Sequence, residues 1–123
     1  MDSQPEPRTG NPQPQGRAPT QDWNEVARMI GDTVMDRENQ RIGKVQDVAQ
    51  RADTMEPSWL VVKTSMFGRR RLVPLAVAMV QDHVIRVPYP KDHVLQAPVP
   101  AVPVTVAASE DARLVHHYGL AAA

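Results

Sequence analysis

The sequence predicts an all-β fold, a small barrel or sandwich with a short C-terminal helix and a disordered N-terminal tail. Three observations carry that expectation. From Ile30 to Tyr89 the chain is a close series of β-branched runs, each ended by a turn signal, with almost no helix-period pattern inside it. Ahead of it, Pro5, Pro7, Pro12, Pro14 and Pro19 alternate with Gln, Gly and charged residues, and Ala18 is the one aliphatic side chain in that stretch. Residues 1–21 therefore cannot bury enough apolar surface to offset the entropy of ordering. After the β-rich region, Ser109 to Gly119 carries helix signals at both ends.

Taken in order, Asp22-Trp23-Asn24-Glu25 opens like a capping box, with Asp22 accepting from free amides and Glu25 reaching back. Trp23, Val26 and Ile30 then fall on one face of one or two helical turns. Five strands follow, over residues 30–34, 41–48, 58–64, 71–75 and 83–88. Asp36-Arg37-Glu38-Asn39 turns the first hairpin, with Asn39 best able to take a positive φ. In the second strand Val45 and Val48 have opposite parity, so a strict two-residue period would send them to opposite faces. Either both faces are buried there, or a bulge near Gln46-Asp47 returns Val48 to the core, which is the expected device in a small barrel. Gly43 fits close backbone approach or sharp bending. Gly68 is the expected left-handed residue of the next connection. Pro74 cannot donate to a ladder, so its strand is an edge or ends there; Pro88 and Pro90 end the last strand. Lys91 to Gln96 predicts one helical turn. Residues 97–106 carry Pro98, Pro100 and Pro103 among valines and read as an extended arm laid over the sheet. Ser109 is expected to cap the last helix, with Glu110 and Asp111 at its positive end. Gly119 is the expected C′ residue, and Leu120 the partner of Val115 in a Schellman motif.

Several phrases recur together in one order: Ile42-Gly43-Lys44-Val45 with Asp47-Val48, Phe67-Gly68 before Val73-Pro74-Leu75, and Val87-Pro88-Tyr89. They continue through Lys91-Asp92 and Ala97-Pro98 to His117-Tyr118-Gly119-Leu120. In that order and spacing the chain resembles the PRC-barrel domain family, named after the H subunit of the photosynthetic reaction centre, in its stand-alone bacterial form. The resemblance spans roughly residues 29–120. It implies a PRC-type β-barrel over residues 22–98, with residues 99–120 packed on it as an arm and helix. It also implies a role in assembly rather than catalysis. The barrels of the photosynthetic H subunit, of the C-terminal half of the ribosome-maturation factor and of archaeal cell-division proteins serve as assembly surfaces. The sequence has neither the membrane-spanning helix of the H subunit nor the N-terminal barrel of the maturation factor, so only the general role carries over.

Fourteen basic and fourteen acidic side chains cancel, which argues against a chain-wide attraction to nucleic acid or anionic lipid. Without cysteine there is no disulfide framework, thiolate nucleophile or cysteine zinc site. No apolar leader precedes Asp22 and no run approaches the roughly 18–20 apolar residues of a membrane span, so a cytoplasmic location is expected. His116 and His117 point about 100° apart on a helix and cannot chelate one ion; they suit its negative end. Asp32, Asp36, Asp47 and Asp53 sit where turns use aspartate for backbone hydrogen bonds, without calcium-loop spacing. Ser58, Ser65 and Ser109 lack a nucleophile-elbow context. No catalytic residue, cofactor site or metal site is expected. The candidate partner contacts are Trp59, Phe67 and the basic run Arg69, Arg70 and Arg71, with Trp59 also fitting ordinary core packing. The expected partner is another protein, or a second copy that exchanges the arm. The alternative is RNA or ribosome association through Arg69 to Arg71 and Arg51.

Overall fold

One long strand organises the fold. The computed structural model describes residues 22–65, 68–101 and 104–120. Along the chain these form α1 (Trp23–Ala27), β1 (Thr33–Met35), β2 (Arg41–Arg51), β3 (Pro57–Lys63) and β4 (Arg70–Pro74). A single 3-10 turn (Leu75–Val77) leads to β5 (Met79–Gln81), β6 (Val84–Arg86), α2 (Lys91–Leu95), β7 (Thr105–Val106) and α3 (Ala108–Tyr118). The sheet runs β4-β3-β2-β1-β6-β5, with β7 added to β2. The β1–β6 and β2–β7 pairs are parallel and the rest antiparallel. The sheet is not closed, because β4 and β5 end the order without pairing with each other.

The irregular steps have visible causes. Val45 pairs with Val62 and Asp47 with Val61, so Gln46 is the extra residue of a bulge and Val48 turns inward, as its parity requires. At Gly43 a Cβ would collide with the Lys63 carbonyl and lie 3.0 Å from Thr64 Cα, so the β2–β3 crossing admits no side chain there. Asn39 turns the first hairpin at φ 64°. β4 is an edge strand and ends at Pro74. The reason for glycine at position 68 visible here is close approach: a Cβ would crowd the hydroxyls of Thr64 and Ser65.

Five of the strands lie where the β-branched runs placed them; β5 and β7 are additional. Ile30-Gly31 is a turn rather than the start of β1, with Gly31 at φ 96°. α1 ends too soon for Trp23 and Ile30 to share its buried face. Val26 and Met29 enter the core instead, leaving Trp23 and Ile30 exposed. At α1 Asp22 accepts from the Asn24 amide at 2.9 Å.

β3 is buried on both sides: Leu60 and Val62 face the inner core with Val34, Ile42, Val45 and Ile85, while Trp59 and Val61 point the other way. α3 covers that second face. Its N-cap is Ala107, not Ser109, which lies within the first turn. Ala107 has no side-chain acceptor, so only half of a capping box exists: the Glu110 carboxylate accepts from the Ala107 amide at 3.2 Å. The far end closes as expected. Gly119 is left-handed at φ 67°, and the Leu120 and Gly119 amides donate to the Val115 and His116 carbonyls at 3.0 and 3.2 Å.

Candidate interaction surface

Trp59 is locked under the C-terminal helix. It is 2% exposed, and its indole Nε1 donates to Asp111 Oδ1 at 2.9 Å. The other Asp111 oxygen lies 3.9 Å from Arg51, whose guanidinium is held by Asp53 at 2.8 Å. That pairing with Asp53, then the charge of Asp111, raises the Arg51 pKa. The Tyr118 ring lies 6.1 Å from that of Trp59, and its hydroxyl donates to the Leu72 carbonyl of edge strand β4. Burial, then the neighbouring Tyr89, pushes the Tyr118 hydroxyl well above the ordinary tyrosine range. Tyr89 in turn donates to the Tyr118 carbonyl at 3.0 Å. Next to them, His93 and His117 stack at 4.1 Å and exchange hydrogen bonds, each Nε2 meeting the other's backbone carbonyl at 2.8 and 2.7 Å. Carbonyls only accept, so both rings carry their hydrogen on Nε2. Sequence reasoning placed His117 at a helix end but missed this clasp between α2 and α3.

The arginine run divides. Alternation along β4 sends Arg70 and Arg71 to opposite sides. Arg71 is half-buried, with Nη1 3.4 Å from the Ala97 carbonyl and a buried Nε that has no partner among the described residues. Arg69 and Arg70 are exposed, and Arg70 donates to the Gln46 side chain. Phe67 lies outside the described residues. Register adds two cations that the linear sequence does not mark: Lys44 stands opposite Lys63, and Lys63 opposite Arg70. All three are exposed and project from one side of β2, β3 and β4.

A family model for the PRC-barrel domain matches residues 24–94. The chain belongs to the PRC-barrel family. The match runs from α1 to α2 and covers every strand of this PRC-barrel except β7. The family is generally non-catalytic. No curated protein matches the chain.

The acidic groups of this PRC-barrel serve its own backbone. Asp36 Oδ1 accepts from the Glu38 and Gln40 amides at 2.8 and 2.7 Å, and Oδ2 accepts from the Lys91 amide at 3.0 Å. Burial alone would raise its pKa. The Gln40, Glu38 and Lys91 amides, aided by Arg37, outweigh burial and hold the carboxyl below its ordinary value. Asp32 is buried with its carboxylate 3.2 Å from His83 Nδ1. Asp47 accepts from the Val48 amide at 2.8 Å. Among the described residues no three His, Asp or Glu side chains are grouped to hold a metal ion, and no helix is long and apolar enough to cross a membrane. A crevice of about 30 Å³ between the arm and α3, lined by Pro98, Pro100, Glu110 and Leu114, has room for about one water and not for a substrate.

Proposed function

We propose that this PRC-barrel protein is a non-enzymatic assembly module that docks on another protein through the corner formed by Arg69 and Arg70 with the adjoining sheet surface. The observation that supports this reading is a division of labour among the charged groups. Asp32, Asp36, Asp47 and Asp111 bind the protein's own amides, rings and indole. Arg69 and Arg70 at the β3–β4 corner are exposed. Trp59 contributes to docking only if α3 moves aside.

Photo-crosslinking tests the proposal, with a photoreactive amino acid at position 69 or 70 of the chain in its own host. Protein adducts of defined mass are expected. Adducts to RNA would favour the ribosome-associated alternative, and no adduct from either site would overturn the reading. Arg51, the other cation of that alternative, is engaged by Asp53 and Asp111. A second copy is the other protein partner in this reading, reached by exchange of the arm over residues 99–120. Sedimentation of the full chain then shows a dimer at micromolar concentration, and a monomer throughout removes self-association.

A further inference from the structure

We infer that the laddered cations Lys44, Lys63 and Arg70 form the docking face for an acidic protein segment, an inference that rests on the assembly role proposed above. Like charges directly opposite one another on neighbouring strands are destabilising. Here two such pairs are joined in one row, Lys44 to Lys63 and Lys63 to Arg70. Neighbouring strands lie about 4.8 Å apart, so the row spans about 10 Å of surface.

Among the described residues no carboxylate forms an ion pair with this row. The ion pairs among the described residues use Arg51 and His83 as cations, and none uses Lys44, Lys63, Arg69 or Arg70. Asp47 follows on the same side of β2; its carboxylate accepts from the Val48 amide and forms no ion pair with the row, so it offsets only part of the positive charge. Gln46, which is uncharged, receives Arg70. The sheet surface continues in the same sign, with Arg41 and Arg86 both registered to Met35, two residues along β1 from Thr33, the partner of Lys44. This sheet surface is therefore mainly cationic although the chain as a whole has no net charge, and the complement of such a surface is an anion.

Protein is the better match than RNA. Recognition of single strands adds exposed rings on which bases stack. Among the described residues the one exposed tryptophan, tyrosine or phenylalanine is Trp23, whose indole meets the Met55 carbonyl at the far end of β2. An acidic segment needs no ring, only carboxylates spaced to meet a row of cations.

The test uses the full chain and three labelled probes: a Glu-Ser repeat peptide, a Lys-Ser repeat peptide and an oligouridylate. The acidic peptide is expected to bind, with affinity falling between about 50 mM and about 300 mM salt as charges are screened. Lys63→Gln is expected to weaken it about threefold, and the triple change Lys44→Gln, Lys63→Gln, Arg70→Gln more than about tenfold. The same Lys63→Gln change should raise the melting temperature by about 2 °C, because it removes two repulsions. This opposite movement of stability and binding is what a merely structural lysine would not produce. No binding of the acidic peptide, binding indifferent to the triple change, tighter binding of oligouridylate, or a lower melting temperature for Lys63→Gln would each overturn the inference. If crosslinked protein adducts persist in the triple variant, the assembly role stands and the acidic partner does not.

Discussion

Asp36 is a buried carboxylate with three backbone donors, so it fastens the β1–β2 turn to the first turn of α2. Asp36→Ala leaves those amides without their acceptor and should cost about 2–4 kcal/mol, read from urea midpoints. The pH dependence has a definite sign. A carboxyl whose folded pKa lies below its unfolded value contributes stability above the unfolded value of 3.8, and that contribution is lost as pH falls through the depressed folded value. The acid limb of the stability curve should therefore flatten in Asp36→Asn; an unchanged limb would show that Asp36 does not set it. Trp59 offers a second measure. Trp59→Ala removes a fully buried ring and should cost about 3–5 kcal/mol, whereas Trp59→Phe keeps most of the packing and loses the bond to Asp111, costing about 1–3 kcal/mol. A Trp59→Phe variant as stable as the parent chain would mean that the indole N–H contributes nothing.

The hairpin β5–β6 turns on Asp82 and His83, both with positive φ, 51° and 64°. That is a two-residue primed turn without the glycine that usually announces one. His83→Gly should raise stability by about 0.5–1 kcal/mol in thermal melts, by relieving the left-handed backbone. A loss instead would show that the contact with Asp32 outweighs the strain. This turn also marks where the sequence stops being legible. The longer β-branched runs, the bulge at Gln46, Asn39, Gly43, Pro74 and the Gly119 cap could each be read from local chemistry, because each residue type answers a steric demand of its own. β5 has three residues and β7 two, too short for a period to register, and the turn between β5 and β6 bears no glycine. The cationic row was hidden for a different reason. Lys44 and Lys63 meet only in one register of β2 on β3, and a one-residue slip would set Lys63 against Gly43 or Val45. Likewise His93 and His117 are brought together by the docking of α3, which no local pattern encodes.

At the scale of the whole molecule, the C-terminal helix is part of the core rather than an appendage. Val106, Leu114 and Tyr118 are buried with the sheet residues, and Tyr118 covers the Leu72 carbonyl on the β4 edge. Burying each such side chain contributes about 1.5–3 kcal/mol, and a domain of this size is stable by only about 5–15 kcal/mol. A chain ending at Gln96 should therefore fail to fold as a monomer, by circular dichroism and sedimentation. A monomer that melts like the full chain would mean that α3 is dispensable. The two tryptophans give this arrangement an optical consequence. Trp59 is 2% exposed beneath α3, and Trp23 is 41% exposed beside the β2–β3 turn. Lifting α3 would wet one indole and leave the other as it was, so the emission would shift to the red while the far-ultraviolet signal of the sheet held steady. Global unfolding would move both signals together. In a Trp23→Phe background the emission reports the seating of one helix, and read beside the far-ultraviolet signal it separates a lifted helix from a melted core.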